Sequence, residues 1–351
     1  MPYLDIGCAS VPGNRYGDMN QDYCVVQEFY APGEIPPGHR QTYIAAVCDG
    51  HGVLGDKAAC YAGKTLVRHI YTSGLRNRLL RDARPEAEKL MVAAFEKGHA
   101  AALSLYNDPP KSIRYGGLRK TMATYTLASS DGICVYRNGS GPERLLEFGC
   151  TCTCAVVQGH TVCLANVGDS AAVLGTDTGA AYTARTLTLR HNGHNVEEAR
   201  RIKAVQPGVV KIKDGTGEDG YMQVVSGPWQ GYELAVTRAL GHKHMADYGV
   251  LPQPHVVSLE AGRDDCCLVL ASDGVWDVMD GPEVVNRVME AAADGKKATE
   301  AAKMLVEAAV DLGINSPCGE ADNTSAIVVY FPIHGSPSKS STSTTSTTTS
   351  S

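Results

Sequence analysis

Residues 47–52 read Val47-Cys48-Asp49-Gly50-His51-Gly52, and they close a short apolar run that begins at Tyr43. Six apolar residues running into Asp-Gly is the pattern of a buried strand delivered into a tight turn. Asp-Gly after a strand is a common chain reversal and by itself marks nothing more. This turn also holds an imidazole and a second glycine. It reads equally as a turn with polar decoration or as the floor of a site, and the rest of the chain has to decide.

The pattern recurs. VCLANVG (162–168) runs into Asp169-Ser170, and CLVLAS (267–272) runs into Asp273-Gly274. In mirror fashion Asn20-Gln21-Asp22 precedes YCVVQEF, and Asp322-Asn323 precedes TSAIVVYF. Five acids therefore sit at the ends of five apolar strands. If antiparallel pairing brings those ends to one edge, the carboxylates crowd together, and like charges at close range need protons or cations to neutralise them. Carboxylates and carbonyls are hard oxygen ligands suited to Mg²⁺ or Mn²⁺, whereas zinc and copper favour the imidazole and thiolate sets that this pattern lacks. Two such ions about 3.5–4 Å apart activate a water and clamp a phosphoryl group for in-line attack. The competing reading, in which each Asp only caps its own turn, needs no convergence.

Further out, helical periodicity marks residues 57–70, 85–106, 196–204, 282–293 and 299–312. Pro85 suits a first turn, Ala87, Leu90, Met91, Ala94, Ala101 and Leu105 form one stripe, and Gly313 serves as a stop. Strand-type runs fall at 23–29, 43–48, 151–158, 161–167, 171–174, 267–271 and 324–331. Strands and helices come in groups, which favours a layered α+β fold with antiparallel sheets over strict βαβ alternation. Residues 107–148 and 206–231 carry no clear periodicity, and stretches of that length inside a domain are functional loops or insertions. From Gly335 the sequence is GSPSKSSTSTTSTTTSS, which has no apolar residues to offset its ordering entropy and reads as a disordered tail.

The whole chain has 351 residues, 43% of them apolar, and a net charge of −6. That composition supports a sizeable core, and the acidic balance argues against nucleic acid or an anionic membrane as a partner. No apolar run is long enough to span a bilayer, and the N-terminus MPYLDIGCASV has neither a signal-peptide pattern nor the glycine that myristoylation requires. The twelve cysteines include no CxxC pair, and Cys150, Cys152 and Cys154 alternate on one face as small hydrophobes. Reduced cysteines in a cytoplasmic or nuclear protein are the expectation.

Taken in order, VCDGHGVLG, GCTCTCAVV, ANVGDSAAVL, LAVTRALG, LASDGVWDVM and ADNTSAIVV resemble the metal-dependent protein serine/threonine phosphatases of type 2C, the PPM family. The resemblance spans residues 10–331. It implies a four-layer α-β-β-α sandwich, two antiparallel sheets flanked by helices, within a catalytic domain of residues 1–334 followed by the tail 335–351. It also implies two Mg²⁺ or Mn²⁺ ions, with a third in many members, and phosphorylated proteins as substrates of a monomeric enzyme. Asp49 matches the aspartate that bridges the ions, and Gly50 the glycine whose carbonyl holds one of them. Asp273 and Asp322 match the aspartates on the other ion, and Asp22 lies in the first acidic motif, with its contacts running through water. Asp169, with Asp273 and Asp277, matches the third, weaker site. A hydroxide between the ions attacks phosphorus, and His51 matches the general acid for the departing serine or threonine oxygen. Residues 107–148 become an insertion and 206–231 the substrate flap, whose GTGEDG lacks the P-loop lysine.

The chain departs from the family pattern in four places. Gln21 stands where many members carry Glu. Gly17 stands where the phosphate-binding arginine is usual, so Arg15 serves only if the loop NRYGDM bulges. Arg190-His191 replaces Asp-His, and His242 replaces an Asp after LAVTRALG. A catalytically inactive relative acting as a binding or scaffold module is the alternative of a different class. It should have lost metal ligands, and Asp22, Asp49, Asp273 and Asp322 are all present. A hydrolase of small phosphate esters is the third reading.

Overall fold

The computed structural model describes residues 4–29, 41–79, 84–116, 123–130, 133–213 and 220–332. The tail predicted at 335–351, and residues 214–219 of the predicted flap, lie outside the described residues.

The seven residues of the strand Thr42–Cys48 are all buried, which explains the unbroken apolar run. Tyr43, Ala45 and Val47 face a second sheet, while Ile44, Ala46 and Cys48 face helices. A strand covered on both sides reads as continuous hydrophobicity rather than alternation. The same division holds for Thr324–Tyr330, where Ile327 and Val329 point inward and Ala326 and Val328 point toward helices. Removing one such side chain, as in Ile327→Ala, costs about 2–5 kcal/mol.

Two five-stranded antiparallel sheets result. One runs Asp5–Val11, Thr324–Tyr330, Asp265–Ala271, Ala171–Asp177, Tyr182–Thr186; the other runs His255–Glu260, Thr161–Val167, Cys152–Gln158, Thr42–Cys48, Tyr23–Glu28. The helices are α1 (Gly55–Thr72), α2 (Arg84–Ser104), α3 (Val196–Val205), α4 (Asp273–Trp276), α5 (Gly281–Ala293) and α6 (Ala298–Ile314). Helices α1 and α2 share a core with the second sheet, and α5 and α6 share one with the first. A third core lies between the sheets. The expected four-layer α-β-β-α sandwich is the observed architecture.

Three strands of these two large sheets escaped the sequence reading: Asp5–Val11, Tyr182–Thr186 and His255–Glu260. All three are edge strands whose residues are mostly half-buried or, in Tyr182–Thr186, mostly exposed, so they lack the apolar run that marks a central strand. On α2 the buried face is Ala87, Met91, Ala94, Phe95, Gly98 and Ala102, so the predicted stripe is corrected by one residue at Ala101. Gly313 does not stop a helix. It is buried inside α6, where an added Cβ would lie 2.9 Å from the Ala321 backbone, so it lets the chain just before Asp322 pass close by. Residues 107–148 hold a four-stranded antiparallel meander, Ser112–Tyr115, Ala123–Ser130, Ile133–Arg137 and Arg144–Leu145. Within 206–231, Val210–Ile212 and Met222–Val224 pair, and Glu233–Leu234 completes a small sheet. That sheet packs with Ile202 of α3, Trp229 and Met245 in a core of its own. All twelve cysteines are free. Among the described residues no helix is long and apolar enough to cross a membrane.

Candidate active site

Strand register brings the acids together. In one sheet Tyr23 opposes Cys48 and Cys152 opposes Val167, so Asp22, Asp49 and the turn before Asp169 leave at one end. In the other, Ala271 opposes both Ala171 and Ala326, and Val11 opposes Thr324, so Asp273, Asp169 and Asp322 leave at the corresponding end. The turn 168–170 links the two sheets at this edge. Gly168 has φ 92°, and a Cβ there would lie 2.4 Å from the Thr151 side chain, so only glycine makes the crossing. Asp49 experiences the charges of Asp22, Asp322 and Asp169, and Asp273 those of Asp49, Asp322, Asp169 and Asp277. The sheets therefore converge on a shared acidic cluster.

Small hydroxyl residues hold the acids in place. The Asp49 N–H donates to Thr151 Oγ1 (3.0 Å) and its carbonyl accepts from the Thr151 N–H (2.8 Å). Thr151 in turn shares a 2.7 Å hydrogen bond with Ser170. Ser272 donates to Asp22 Oδ2 (2.8 Å) and accepts from the Ser325 N–H (3.0 Å). Yet Asp22 Oδ1, Asp169 Oδ1 and Asp273 Oδ1 are buried with no partner in the protein. Burial first, and the neighbouring carboxylates second, push Asp49 and Asp273 well above the usual carboxylate range. Burial raises Asp22 to about 6, against the hydrogen bonds of Ser325 and Ser272.

The turn after Asp49 is fixed by backbone crowding. A Cβ on Gly50 would lie 2.3 Å from the Gly55 carbonyl oxygen and 2.6 Å from that of Gln21. Gly50 and His51 pair with Cys150 and Gly149. His51 Nε2 lies 3.6 Å from Asp49 Oδ2. Burial lowers the His51 pKa, and Asp169, Asp322 and Asp22 oppose that effect.

Arg15 reaches the cluster because its loop does bulge. The Asn14 and Arg15 N–H groups both donate to the Ala321 carbonyl at 3.1 Å, and Gly17 adopts φ 73°. Arg15 Nη1 then lies 2.6 Å from Asp322 Oδ2. Across the cleft Arg190 Nη2 lies 3.2 Å from Asp277 Oδ1. A cleft of about 420 Å³ opens here, lined by Arg15, Asp169, Arg190, Asp273, Asp277 and Asp322, with Tyr221 also on its wall. Asp49, Asp22 and His51 are half-buried at the same edge, outside the lining of this cleft.

Among the described residues, no three His, Cys, Asp or Glu side chains close into a ready-made cage. The carboxylates spread along the cleft instead, which suits hydrated ions sharing ligands rather than one enclosed ion. The donor set is all hard oxygen, it leaves three buried oxygens uncompensated, and it carries charge that the protein does not neutralise. These residues fit divalent cations. The supporting hydroxyls of Thr151, Ser170 and Ser272 were not singled out from sequence; the only signal was a Ser or Thr close to an acid. Arg190 entered only as a departure from the family pattern, and nothing pointed to the buried Glu147.

A family model described as "Protein phosphatase 2C" matches residues 26–316, and the chain belongs to that family. It is 38% identical over 188 residues to "Probable protein phosphatase 2C 12" of Oryza sativa subsp. japonica, covering 53% of this chain and 46% of that one. It is 36% identical over 199 residues to "Probable protein phosphatase 2C 48" of the same organism, covering 55% of this chain and 54% of that one. The chain thus spans about half the length of these two relatives. Against "Probable protein phosphatase 2C 72" of Arabidopsis thaliana it is 29% identical over 307 residues, covering 86% and 77%. Among solved structures, serine-threonine phosphatase 2C from Toxoplasma gondii superposes with a TM-score of 0.70 at 19% identity, covering 95% of this chain and 96% of that one. That likeness is one of fold. Family membership implies dependence on divalent metal.

Proposed function

We propose that this chain is a metal-dependent phosphatase acting on phosphoserine and phosphothreonine in proteins. The observation that carries the reading is the acidic edge: buried, mutually repelling carboxylates with unpartnered oxygens, gathered by strand register at one end of a protein phosphatase 2C sandwich. Asp49, Asp273, Asp322 and the Gly50 carbonyl would hold two Mg²⁺ or Mn²⁺ ions, with Asp22 acting through water. Divalent ions at this edge supply activation of the attacking water and neutralise charge on the phosphoryl oxygens.

The chain's own residues do the rest. Arg15 binds and orients the phosphate; its guanidinium now pairs with Asp322 at the cleft wall. His51 protonates the departing serine or threonine oxygen from Nε2, the ring nitrogen that faces the acidic edge. Thr151, Ser170 and Ser272 fix Asp49 and Asp22, so little reorganisation is needed. Residues 206–231 act as a flap, with Tyr221 at the cleft. Asp169 and Asp277 form the weaker third position, where Arg190 already supplies one positive charge.

The test is phosphate release from a phosphothreonine peptide. Activity should require Mn²⁺ or Mg²⁺, stop in EDTA, and disappear in the double variant Asp49→Asn with Asp273→Asn. Undiminished turnover in EDTA would sink the assignment.

A further inference from the structure

Behind His51 lies a second imidazole that the reaction described so far does not use. His242 is fully buried, and among the described residues it is the only non-glycine at positive φ, 49°. An imidazole held in the left-handed region is a strained arrangement that surrounding contacts must impose. Its N–H donates to the Phe148 carbonyl at 2.8 Å, and its own carbonyl accepts from the Met245 N–H at 3.1 Å. Room for the ring depends on Gly149, where a Cβ would lie 2.3 Å from His242 Cδ2.

The ring stands between two polar groups. Its centroid is 5.8 Å from that of His51, and its Nδ1 is 4.0 Å from Glu147 Oε1. That Glu147 oxygen is itself fixed, accepting the N–H of His244 (2.9 Å) and of Met245 (3.3 Å). His51 Nδ1 and both ring nitrogens of His242 are buried without a hydrogen-bond partner. Buried polar atoms are rarely left unsatisfied, and neighbouring ones are commonly served by each other through a small shift or a bridging water. A histidine that works through Nε2 needs its Nδ1 held by another group, which sets the ring angle and the tautomer.

We propose that His242, backed by Glu147, is a positioning residue that holds the His51 ring through its Nδ1 side and so aims Nε2 at the leaving oxygen. The inference rests on the reading of His51 as the proton donor. In that step the Nε2–H bond breaks, an O–H bond forms on the departing serine or threonine oxygen, and His51 is left neutral. Glu147 closes the segment 107–148, so the relay also ties that segment to the active edge.

The experiment compares two leaving groups, a phosphothreonine peptide and 4-nitrophenyl phosphate, on the full chain with saturating Mn²⁺. An alkoxide needs a proton to leave and a nitrophenolate does not. In His242→Asn, chosen because Asn accepts the left-handed backbone, peptide kcat should fall about 10–100-fold with little change in KM. Aryl phosphate turnover should fall less than about threefold, because protonation contributes little there. Glu147→Gln should shift the ratio the same way by less, and adding His242→Asn to His51→Ala should cost nothing further. The ratio of the two rates does not depend on how much of a variant is folded. Equal losses on both substrates, or none, overturn the relay while His51→Ala remains leaving-group dependent. If His51→Ala is itself indifferent to the leaving group, the proton-donor assignment falls and takes the relay with it.

Discussion

Two clusters of buried charge in this molecule are built on opposite terms. Just before the segment 206–231, Glu198 of α3 is almost fully buried, yet its oxygens accept from Arg201 (2.5 Å), Arg238 (2.6 Å) and Thr237 (2.8 Å). Burial alone would raise its pKa, but the hydrogen bonds of Arg238, Arg201 and Thr237 overcome that and bring it to about 2. Arg201 also reaches the carbonyls of Gly249 and Thr237, and Arg238 that of Gln253, so one carboxylate ties α3 to two loops. At the open end of the sandwich, several carboxylates are buried with mainly one another for company, and their pKa values move up. The first cluster is electrostatically complete within the chain. The second is complete only when positive charge comes from outside, as expected of a site rather than of a structural device.

The contrast can be broken at several points. The largest effect should come from Asp273→Asn, which removes a proposed metal ligand without touching the core: phosphopeptide turnover should fall by about 10³-fold or more while the fold persists. Circular dichroism and a phosphate-release assay on one sample would check both halves.

Next is Glu198→Ala, which strands two arginines and should destabilise the fold by about 3–5 kcal/mol in urea melts. The pH dependence has a defined sign. The Glu198 pKa is depressed in the folded state, so its contribution is fully present above its ordinary value of 4.5. It is lost as pH falls toward 2. That loss is on the order of 3 kcal/mol in the wild type and should be missing from the acid limb of Glu198→Gln.

The acidic edge should behave in the reverse way. Asp22, Asp49 and Asp273 have raised folded-state values, about 6 for Asp22, so without metal the native state loses stability as pH rises from the ordinary carboxylate range through those values. In EDTA at pH 7.5, Asp49→Asn should therefore be more stable than the wild type by about 1–3 kcal/mol. The advantage should shrink toward pH 5 and reverse in Mn²⁺. Thermal melts with and without Mn²⁺ measure it.

Smallest is Arg190→Ala. The Arg190–Asp277 pair is about half exposed, so stability should change by less than about 1 kcal/mol. Loss of the fixed charge beside Asp277 should tighten a weak Mn²⁺ site by a few-fold, read by equilibrium Mn²⁺ titration.

Central strands and long amphipathic helices were legible because burial on two faces, or on one helical stripe, writes itself into composition. Thr42–Cys48 and Thr324–Tyr330 are the clearest cases. Three of the four edge strands of the two large sheets, Asp5–Val11 among them, were not, since half-buried residues tolerate many patterns; the fourth, Tyr23–Glu28, was legible through its apolar start YCVV. The meander within 107–148 was missed because its strands are short and mix exposed residues with buried ones, Leu127 and Cys134 among them, beside Tyr115, Tyr125 and Tyr136, which pack edge to face. The acids themselves stood out as a repeated strand-end motif, and the ordered set named their family. The Thr151–Ser170 bridge had no comparable signal, since threonine and serine beside a turn satisfy many roles.

The sequence by itself singled out the side chains proposed to carry the chemistry, because an acid at a strand end has a fixed place along its strand. It also pointed to a layered α+β fold with antiparallel sheets, because strands and helices come in groups, while the α-β-β-α order followed from the family resemblance. Tertiary structure alone decided which strand ends meet, since register and sheet stacking lie between segments up to about three hundred residues apart, as with Gln21 and Asn323. It alone decided that Arg15 turns into the cleft, through two N–H groups sharing the Ala321 carbonyl. And it placed His242 behind His51, where VCDGHG contacts a residue nearly two hundred positions downstream. Local sequence sets what a residue can do. The packing of distant segments sets what it faces.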